Sequence, residues 1–453
     1  METVEDILKT NAVYDANIAR WAFYLRSYMG GAEYAGGKYL TPYIEEDAAE
    51  YDKRIDSTPC DNHCHNIIQI YNSFIWRIPP TRSLPEGNQA IESFMDDADL
   101  DGRTFNAFMR EAGTWSGVYG HCVIMMDKPE STAETMQDEI DQGLRPYVSV
   151  VTPDNILDWR YERAASGRYV LTYIKYRESF SGDTVQIREW SAEEVNLYEV
   201  EGERAKLLES VPNPIGLVPA ITLYSSRSPL RGVGISDISD IADFQKAIYS
   251  ELSEIEQLIR ISNHPSLAKT EGTDASAGAG GVITMPDDMD GATKPFLLQP
   301  SGASLGSVME SIDKKVEAIN RMGHLGGVRS TQASSAKSGV ALQTEFQMLN
   351  TRLSEKADLL ELAEEQLWKL WDIWQSANAD IEVDYPDSFD IRDYVADLEF
   401  LQTAKASGVQ SRTFNQEVSK QIAALVADDE ILETIEGEID QGVVFTEPDN
   451  ASD

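Results

Sequence analysis

The feature that most constrains the fold is a change of apolar periodicity after Gly232-Val233-Gly234. Before it, from about 146 to 224, short runs rich in valine, isoleucine and tyrosine are separated by turn residues at hairpin spacing, which is typical of antiparallel strands. After it, apolar residues from Ile235 to Ile259 repeat at steps of three and four, which predicts one helix over 235–261 that ends before Pro265. Strands followed by long helices, instead of alternating with them, predict an α+β chain.

The segments on either side extend this prediction. The first 60 residues predict polar helices broken by glycines at 30–37, and residues 61–79 predict a helix stopped by Pro79-Pro80. Strands are predicted at 122–126, 147–151, 169–174, 184–187 and 218–224. Val282-Ile283-Thr284-Met285 and Phe296-Leu297-Leu298 predict the two strands of a hairpin around a turn at 287–291.

The C-terminal half predicts long helices joined by a loop. Residues 303–322 and 339–376 carry apolar stripes at helical spacing, whereas 323–338 is rich in glycine and serine and has no apolar period. The tail, 377–453, holds 19 acidic and 4 basic residues, a net charge of −15, and predicts a short strand at 381–383 and two modest helices.

Charge excludes one class of partner interaction. With 38 Lys and Arg against 77 Asp and Glu, the formal charge is −39. A protein that holds nucleic acid by neutralising phosphates needs a basic face, so a simple sequence-reading DNA binder is not expected. The acidic start lacks a secretory signal, no stretch reaches about 18 apolar residues, and three cysteines cannot all pair. We expect a soluble intracellular product without a membrane segment.

One motif invites a metal interpretation. Cys60-Asp61-Asn62-His63-Cys64-His65 places four possible ligands within six residues. Structural zinc sites present two separated ligand pairs, and the sequence offers no second pair. We therefore expect no metal, no cofactor and no catalytic residue, and we interpret these side chains as caps and small buried groups at a helix start. A metal-dependent hydrolase using this cluster stays open as an alternative function.

The order of elements resembles that of the portal proteins, the head-to-tail connectors of tailed double-stranded DNA bacteriophages. The resemblance rests on three segments: Pro219-Ala220-Ile221 leading through Ser236-Asp237-Ile238 into a long helix, the hairpin at 280–302, and residues 321–357. The last of these includes Ser338-Gly339-Val340-Ala341-Leu342, a Ser-Gly-aliphatic-Ala-Leu pattern after a mobile loop. The order and spacing of the three segments cover about residues 60–420.

The resemblance implies a domain organisation. Residues 1–234 and 339–400 would form the wing with its spine helix, 235–261 and 303–322 the two stem helices, 262–302 the clip, 323–338 the tunnel loop, and 401–453 a small acidic crown. It also implies that Arg321, His324, Arg329, Ser330 and Lys337 line the DNA channel. Val282, Ile283, Phe296 and Leu297 would form the clip interface.

The resemblance further implies a function and a set of partners. The family forms a ring of twelve copies at one capsid vertex, assembled in the host cytoplasm and then part of the virion. Its partners are the terminase, the head-tail adaptors, the major capsid protein, and double-stranded DNA that passes without sequence specificity. An acidic lining would keep the duplex from sticking, and residues 321–337, which include no acidic residue, would be the basic exception. Another head-tail ring component of the virion stays open as a second alternative.

Overall fold

The computed structural model describes residues 3–85, 87–129, 138–139, 142–263, 266–268, 296–298, 303–325, 339–389, 394–426 and 429–441. The chain divides into two compact units, Met1–Phe389 and Asp390–Asp453. Helices and antiparallel strands occupy separate stretches of the first unit, so the α+β prediction is confirmed. Among the described helices, none combines the length and the apolar character needed to cross a membrane.

Helices build the N-terminal part of the first unit, as predicted. Their starts are capped by side chains that accept backbone N–H groups, for example Asn11 from Tyr14 and Thr104 from Ala107. The prediction of a polar N-terminus was wrong for the helix Ala12–Met29, which buries Trp21 and five other residues with aromatic or hydroxyl side chains. The helices are Val4–Leu8, Ala12–Met29, Gly31–Gly36, Ala48–Ser57, His63–Ile75, Gln89–Asp96 and Phe105–Tyr119.

A three-stranded sheet contributes buried residues to the core of the first unit. The strands of the chain are, in order, β1 Thr81–Arg82, β2 His121–Asp127, β3 Tyr147–Val151, β4 Ile156–Arg163, β5 Tyr169–Ser181, β6 Thr184–Ser191, β7 Glu194–Glu201, β8 Arg204–Pro212, β9 Ala220–Tyr224, β10 Ser266–Ala268, β11 Phe296–Leu298 and β12 Val383–Asp384. In this sheet β2 pairs antiparallel with β3 on one side and β9 on the other. All residues of β2 before Asp127 are buried, which confirms the predicted buried strand.

The second sheet is an antiparallel meander in the order β4-β5-β6-β7-β8. The predicted strands at 169–174 and 184–187 lie within β5 and β6, but the sequence prediction missed β4, β7 and β8. These strands carry many charged residues, for example Arg204 and Lys206 in β8, and such residues have low intrinsic strand propensity. These strands are stabilised by hydrogen bonds to neighbouring strands, although their own residues do not favour the strand conformation.

Two glycines allow the chain to cross itself closely where the strands give way to helices. Gly120 has φ 95°, and a Cβ at position 234 would lie only 1.9 Å from the carbonyl oxygen of Gly120. The amide of Gly234 donates to Nδ1 of His121 at 3.2 Å. Burial lowers the pKa of His121 to about 3, so at neutral pH its ring is uncharged and can accept this bond.

The helix predicted at 235–261 begins later than predicted, at Ile241, and ends at Asn263. The residues before it form a buried turn because they bond to the end of another helix. Ser236 donates to the carbonyl of Val118 at 2.6 Å, and the amide of Asp237 donates to the carbonyl of Gly117 at 3.0 Å. Backbone and side-chain bonds to a fixed neighbour thus outweigh the apolar period, which continues through the turn.

We call Ile241–Asn263 the outgoing helix, Ala303–Met322 the returning helix and Gly339–Gln375 the long helix. The latter two agree with the predicted helices at 303–322 and 339–376. The predicted strand at 296–298 is confirmed as β11, which pairs antiparallel with β10. The predicted partner strand at 282–285 lies outside the described residues. Near 381–383 the strand is β12, Val383–Asp384, which pairs with β1.

The second unit contains three described helices, Tyr394–Ala406, Arg412–Val426 and Asp429–Gln441, where the sequence predicted two. Lys420 on the middle helix pairs with Asp440 on the last one at 2.8 Å. The predicted domain boundary at 400/401 would cut the first of these helices, whereas the compact unit begins at Asp390.

Candidate functional site

The outgoing and returning helices form an antiparallel helical hairpin. Glu251 of the outgoing helix accepts from Ser311 at 2.7 Å and from Lys315 at 2.6 Å on the returning helix. Farther along, β10 and β11 continue the same antiparallel course. The outgoing helix has 23 residues and is therefore about 35 Å long.

The first unit covers only the near half of this helical hairpin. Six side chains of the outgoing helix up to Ser253 are buried: Ile241, Ala242, Gln245, Ile248, Tyr249 and Ser253. From Glu254 to Arg260 no side chain is buried. In the returning helix, among the side chains described from Leu305 to Met322, Ile319 alone is buried. The far half thus leaves apolar side chains such as Ile259 and Met309 partly open to solvent.

A buried charge cluster fixes the base of the helical hairpin. We call this base, the turn at 235–240 before the outgoing helix, the root. The Asp237 side chain, 2 % exposed, lies 2.5 Å from Nζ of Lys356 and 3.0 Å from Arg352, both on the long helix. Ser225 donates to the same carboxylate at 2.9 Å and accepts from Lys356 at 2.5 Å. Burial lowers the pKa of Lys356, and the neighbouring Asp237 opposes this effect. The cluster joins the turn before the outgoing helix to the long helix.

A second buried ion pair fixes the long helix farther along. Arg82 of β1 forms a two-pronged contact with Glu364, whose side chain is fully buried. The same carboxylate accepts from the hydroxyl of Tyr385 at 2.8 Å and from the indole of Trp368 at 3.2 Å. Arg82 also donates to Asn106 at 2.8 Å. Every oxygen of this buried carboxylate therefore has a donor.

The structure describes only part of the predicted site. Arg321 is exposed in the last turn of the returning helix, and His324 follows in a left-handed conformation, φ 54°. The carbonyl of Gly323, between them, accepts from Tyr71 at 2.9 Å, so this start of the predicted tunnel loop is tied to the core. Phe296 and Leu297 lie in β11. Arg329, Ser330, Lys337, Val282 and Ile283 lie outside the described residues.

The Cys60–His65 segment packs against the outgoing helix. Gln245 accepts from the amide of Cys64 at 2.9 Å and donates to the carbonyl of Ser27 at 3.0 Å. Burial raises the pKa of Cys60 to about 11, which disfavours the thiolate that a metal would need. Across the described residues, no group of three or more His, Cys, Asp and Glu side chains is arranged to hold a metal ion.

A cleft of about 240 Å³ lies between β3 and β5. Tyr147, Tyr176 and Trp190 contribute to its wall together with Asp127, which accepts from the hydroxyl of Tyr147 at 3.4 Å. Burial raises the pKa of Asp127, and the neighbouring Arg188 opposes this effect. Glu178 contributes a second carboxyl to the lining, and it accepts from the guanidinium of Arg188 at 2.7 Å.

Sequence reasoning missed the charged residues that hold the root. Asp237 was noted as part of the segment that leads into the outgoing helix, whereas the structure buries its side chain between two cations. A signal was present, because Lys356 and Glu364 interrupt the apolar stripe of the long helix. Lys356 follows Leu353 by three residues, and Glu364 follows Leu360 by four, so both share the buried face. A charge at such a position needs a buried partner.

No protein-family model matches the chain. No curated protein matches it either. Solved structures do match, and three of them each show 12 % sequence identity with probability 1.00. In the virion of the native gene transfer agent particle, the match covers 79 % of this chain and 89 % of the other, with a TM-score of 0.44.

Two further matches come from the neck of such particles. For the neck of the empty particle computed with C6 symmetry, the match covers 84 % of this chain and 95 % of the other, with a TM-score of 0.47. For the neck of the native particle computed with C12 symmetry, the corresponding values are 80 %, 89 % and 0.42.

Proposed function

We propose that the chain is the subunit of a portal ring, a conduit at one capsid vertex through which double-stranded DNA enters and leaves. The observation that carries the proposal is the helical hairpin, whose root is locked by buried charge and whose far half is left uncovered by its own unit. Twelve copies would assemble in the host cytoplasm and become part of the virion. The proposed partners are the terminase, the head-tail adaptors and the major capsid protein.

A ring explains the distribution of burial along the helical hairpin. Two isolated helices with one apolar seam bury little surface, and none of the described side chains from Glu254 to Arg260 is buried. In a ring, each copy offers one flank to the next copy and receives the opposite flank of the previous one. Apolar positions such as Ile259 and Met309 would then be covered from the side.

The acidic composition suits a passage for DNA that must not bind tightly. Duplex DNA carries one negative charge per ~1.7 Å of its axis, so a basic lining would hold it. A net charge of −39 per copy gives repulsion, which salt weakens beyond a Debye length of about 8 Å. Arg321, His324, Arg329 and Lys337 would form a local basic ring that contacts phosphates briefly and helps to retain packaged DNA.

Electron microscopy of the purified chain tests the ring directly. We expect negatively stained particles to be rings with a central hole wide enough for a duplex, and light scattering to give a mass near twelve copies. Particles that stay monomeric at every protein concentration would contradict the proposal. Rings that form but support no DNA packaging would favour another head-tail ring component instead.

A packaging assay tests the proposed DNA and motor contacts. Neutralising Arg329 and Lys337 to serine should reduce retained DNA several-fold while rings still form, because transient phosphate contacts are lost. Removing residues 269–295, which include Val282 and Ile283, should prevent packaging from starting because the terminase loses its docking segment.

The matched control neutralises Arg168 and Lys206, an exposed pair of the same composition on the strand meander. Its retained DNA should equal that of the unchanged protein. Equal retention in the Arg329 and Lys337 variant would remove the basic ring from the proposal.

A further inference from the structure

The three-stranded sheet ends in an edge strand, β3, whose outer side carries unpaired backbone groups. Among the described strands, β3 pairs with β2 alone. The amide of Val148 points to the outer side, because it donates to the carbonyl of Ala98 at 3.0 Å. Backbone groups of alternate residues in an antiparallel strand point the same way, so those of Val150 also face outward. Neither the N–H nor the C=O of Val150 has a hydrogen-bond partner within the described chain.

A cleft opens on each face of this edge. Ser149 and Val151 point to one face, where Val151 packs with residues of the strand meander. The cleft of about 240 Å³ between β3 and β5 lies on that face, and we call it the first cleft. Val148 points to the other face, where a second cleft of about 220 Å³ lies between β3 and the helix Phe105–Tyr119. A strand added along this edge would therefore direct successive side chains to the two clefts in turn.

The first cleft suits an apolar side chain. Tyr147, Tyr176 and Trp190 contribute to its wall. Phe180, which is 62 % exposed, also lines it. The two carboxyls in the lining already accept hydrogen bonds, as described for the candidate site. Ser149 is small and exposed, so it leaves room beside β3 for a larger side chain from an added strand. An apolar group placed there leaves water and is stabilised by the hydrophobic effect.

The second cleft suits a cation. Three carboxylates and one guanidinium line it, which gives a net charge of −2: Asp99, Asp101, Glu111 and Arg103. The indole of Trp115 also lines the cleft and donates to Glu111 at 3.2 Å, so an aromatic ring lies beside that carboxylate. A lysine or arginine side chain from an added strand can lie over such a ring and pair with the carboxylate.

We propose that the outer edge of β3 binds an extended segment of another protein as a fourth, antiparallel strand of the sheet. The segment carries a basic residue opposite Val150, over the second cleft, and an apolar residue on each side of it, over the first cleft. Residues directly opposite each other in an antiparallel pair share a face, which fixes this alternation. The charges favour a basic segment of another protein, because the second cleft is acidic and this chain has a net charge of −39. The inference concerns a single subunit and does not depend on the ring.

A short peptide and its N-methylated form test the backbone pairing. The probe is fluorescein-labelled Gly-Thr-Ile-Arg-Ile-Thr-Gly, and its binding to the full-length chain is measured by fluorescence anisotropy. We expect saturable binding. Methylation of the arginine amide removes the donor that meets the carbonyl of Val150, and it should weaken binding by about tenfold or more. The peptide with glutamate in place of arginine should also bind about tenfold more weakly, because like charges then meet in the second cleft.

Two substitutions at one position test the edge from the side of the protein. Val150→Pro removes the outward N–H, and a sheet edge tolerates proline where the lost N–H faced away from its partner strand. Binding of the arginine peptide should weaken by about tenfold while the melting temperature stays close to that of the unchanged protein. Val150→Ala keeps both backbone groups and should bind within about threefold of the unchanged protein. The N-methylated peptide still decides the question if Val150→Pro does not fold.

A third substitution tests the second cleft. Glu111→Gln removes one carboxylate beside Trp115, and it should weaken the arginine peptide by about fivefold. A peptide with leucine in place of arginine should bind Glu111→Gln and the unchanged protein equally. A general loosening of the fold would weaken both peptides alike.

Each outcome supports or overturns the inference. Equal binding of the parent and N-methylated peptides, or no saturable binding at millimolar peptide, overturns it. Self-association of the chain that Val150→Pro abolishes, without peptide binding, would assign the edge to a second copy and overturn the basic partner. Weaker binding after N-methylation and in Val150→Pro, together with the arginine-specific effect of Glu111→Gln, supports the added strand.

Discussion

Replacing Asp237 by asparagine is expected to lower the free energy of unfolding by about 3–5 kcal/mol. The substitution keeps the shape of the side chain but removes its charge, which leaves the ammonium group of Lys356 buried without a carboxylate. Arg352, the second cation of the cluster, is partly exposed and keeps Glu355 at 3.7 Å. Urea denaturation followed by circular dichroism measures the change.

A nearby carboxylate provides the matched control. Asp243 pairs with Arg20 at 2.7 Å, but the two side chains are 55 % and 39 % exposed to solvent. Asp243→Asn should therefore cost below about 1 kcal/mol. The double variant Asp237→Asn with Lys356→Met should recover part of the loss, because neither partner is then left charged. Equal effects at Asp237 and Asp243 would show that the cluster does not stabilise the root.

Glu364→Gln is the second substitution with a large expected effect, again about 3–5 kcal/mol of unfolding free energy. It leaves the guanidinium of Arg82, whose side chain is 5 % exposed, without a negative partner. The donors Trp368 and Tyr385 keep an oxygen to bond, so the loss reports mainly the charge. The thermal midpoint and the urea midpoint should fall together.

The adjacent residue, Glu365, provides a matched control for Glu364→Gln. Glu365 is 40 % exposed and pairs only loosely with Lys369, at 3.4 Å. Glu365→Gln changes the same chemical group one position along the same helix, and we expect a change within about 0.5 kcal/mol. If Glu364→Gln were as mild as Glu365→Gln, the ion pair with Arg82 would not hold β1 to the long helix.

The fold could be predicted where the local sequence pattern alone determines the structure and no contact with a distant segment overrides it. The returning helix was predicted at its observed bounds because its apolar stripe is regular and is bounded by non-helical sequence. The outgoing helix was predicted six residues too early, because Ser236 and Asp237 bond to another helix that the sequence does not place beside them. β7 and β8 were missed for a similar reason, since their stability comes from pairing.

Less of the candidate site could be predicted. The sequence indicates that Ile259 belongs to an apolar stripe, but it cannot say whether the same copy or another copy covers it. Arg54 is an ordinary arginine in a charged helix until Glu46, Thr41 and Ser253 are seen around it. Such sites form where segments that are distant in the sequence come into contact. The apolar periodicity of one segment does not indicate which other segments it contacts.

The charged root of the helical hairpin also has a mechanical consequence. The outgoing helix acts as a lever about 35 Å long, so a rotation of about 5° at its base would move its far end by about 3 Å. Asp237, joined to two cations of the long helix, lies close to that pivot. A buried ion pair resists shear because any displacement separates unlike charges in a poorly screened interior. A force applied to the far end of the outgoing helix is therefore transmitted to the long helix, because the base of the outgoing helix does not yield.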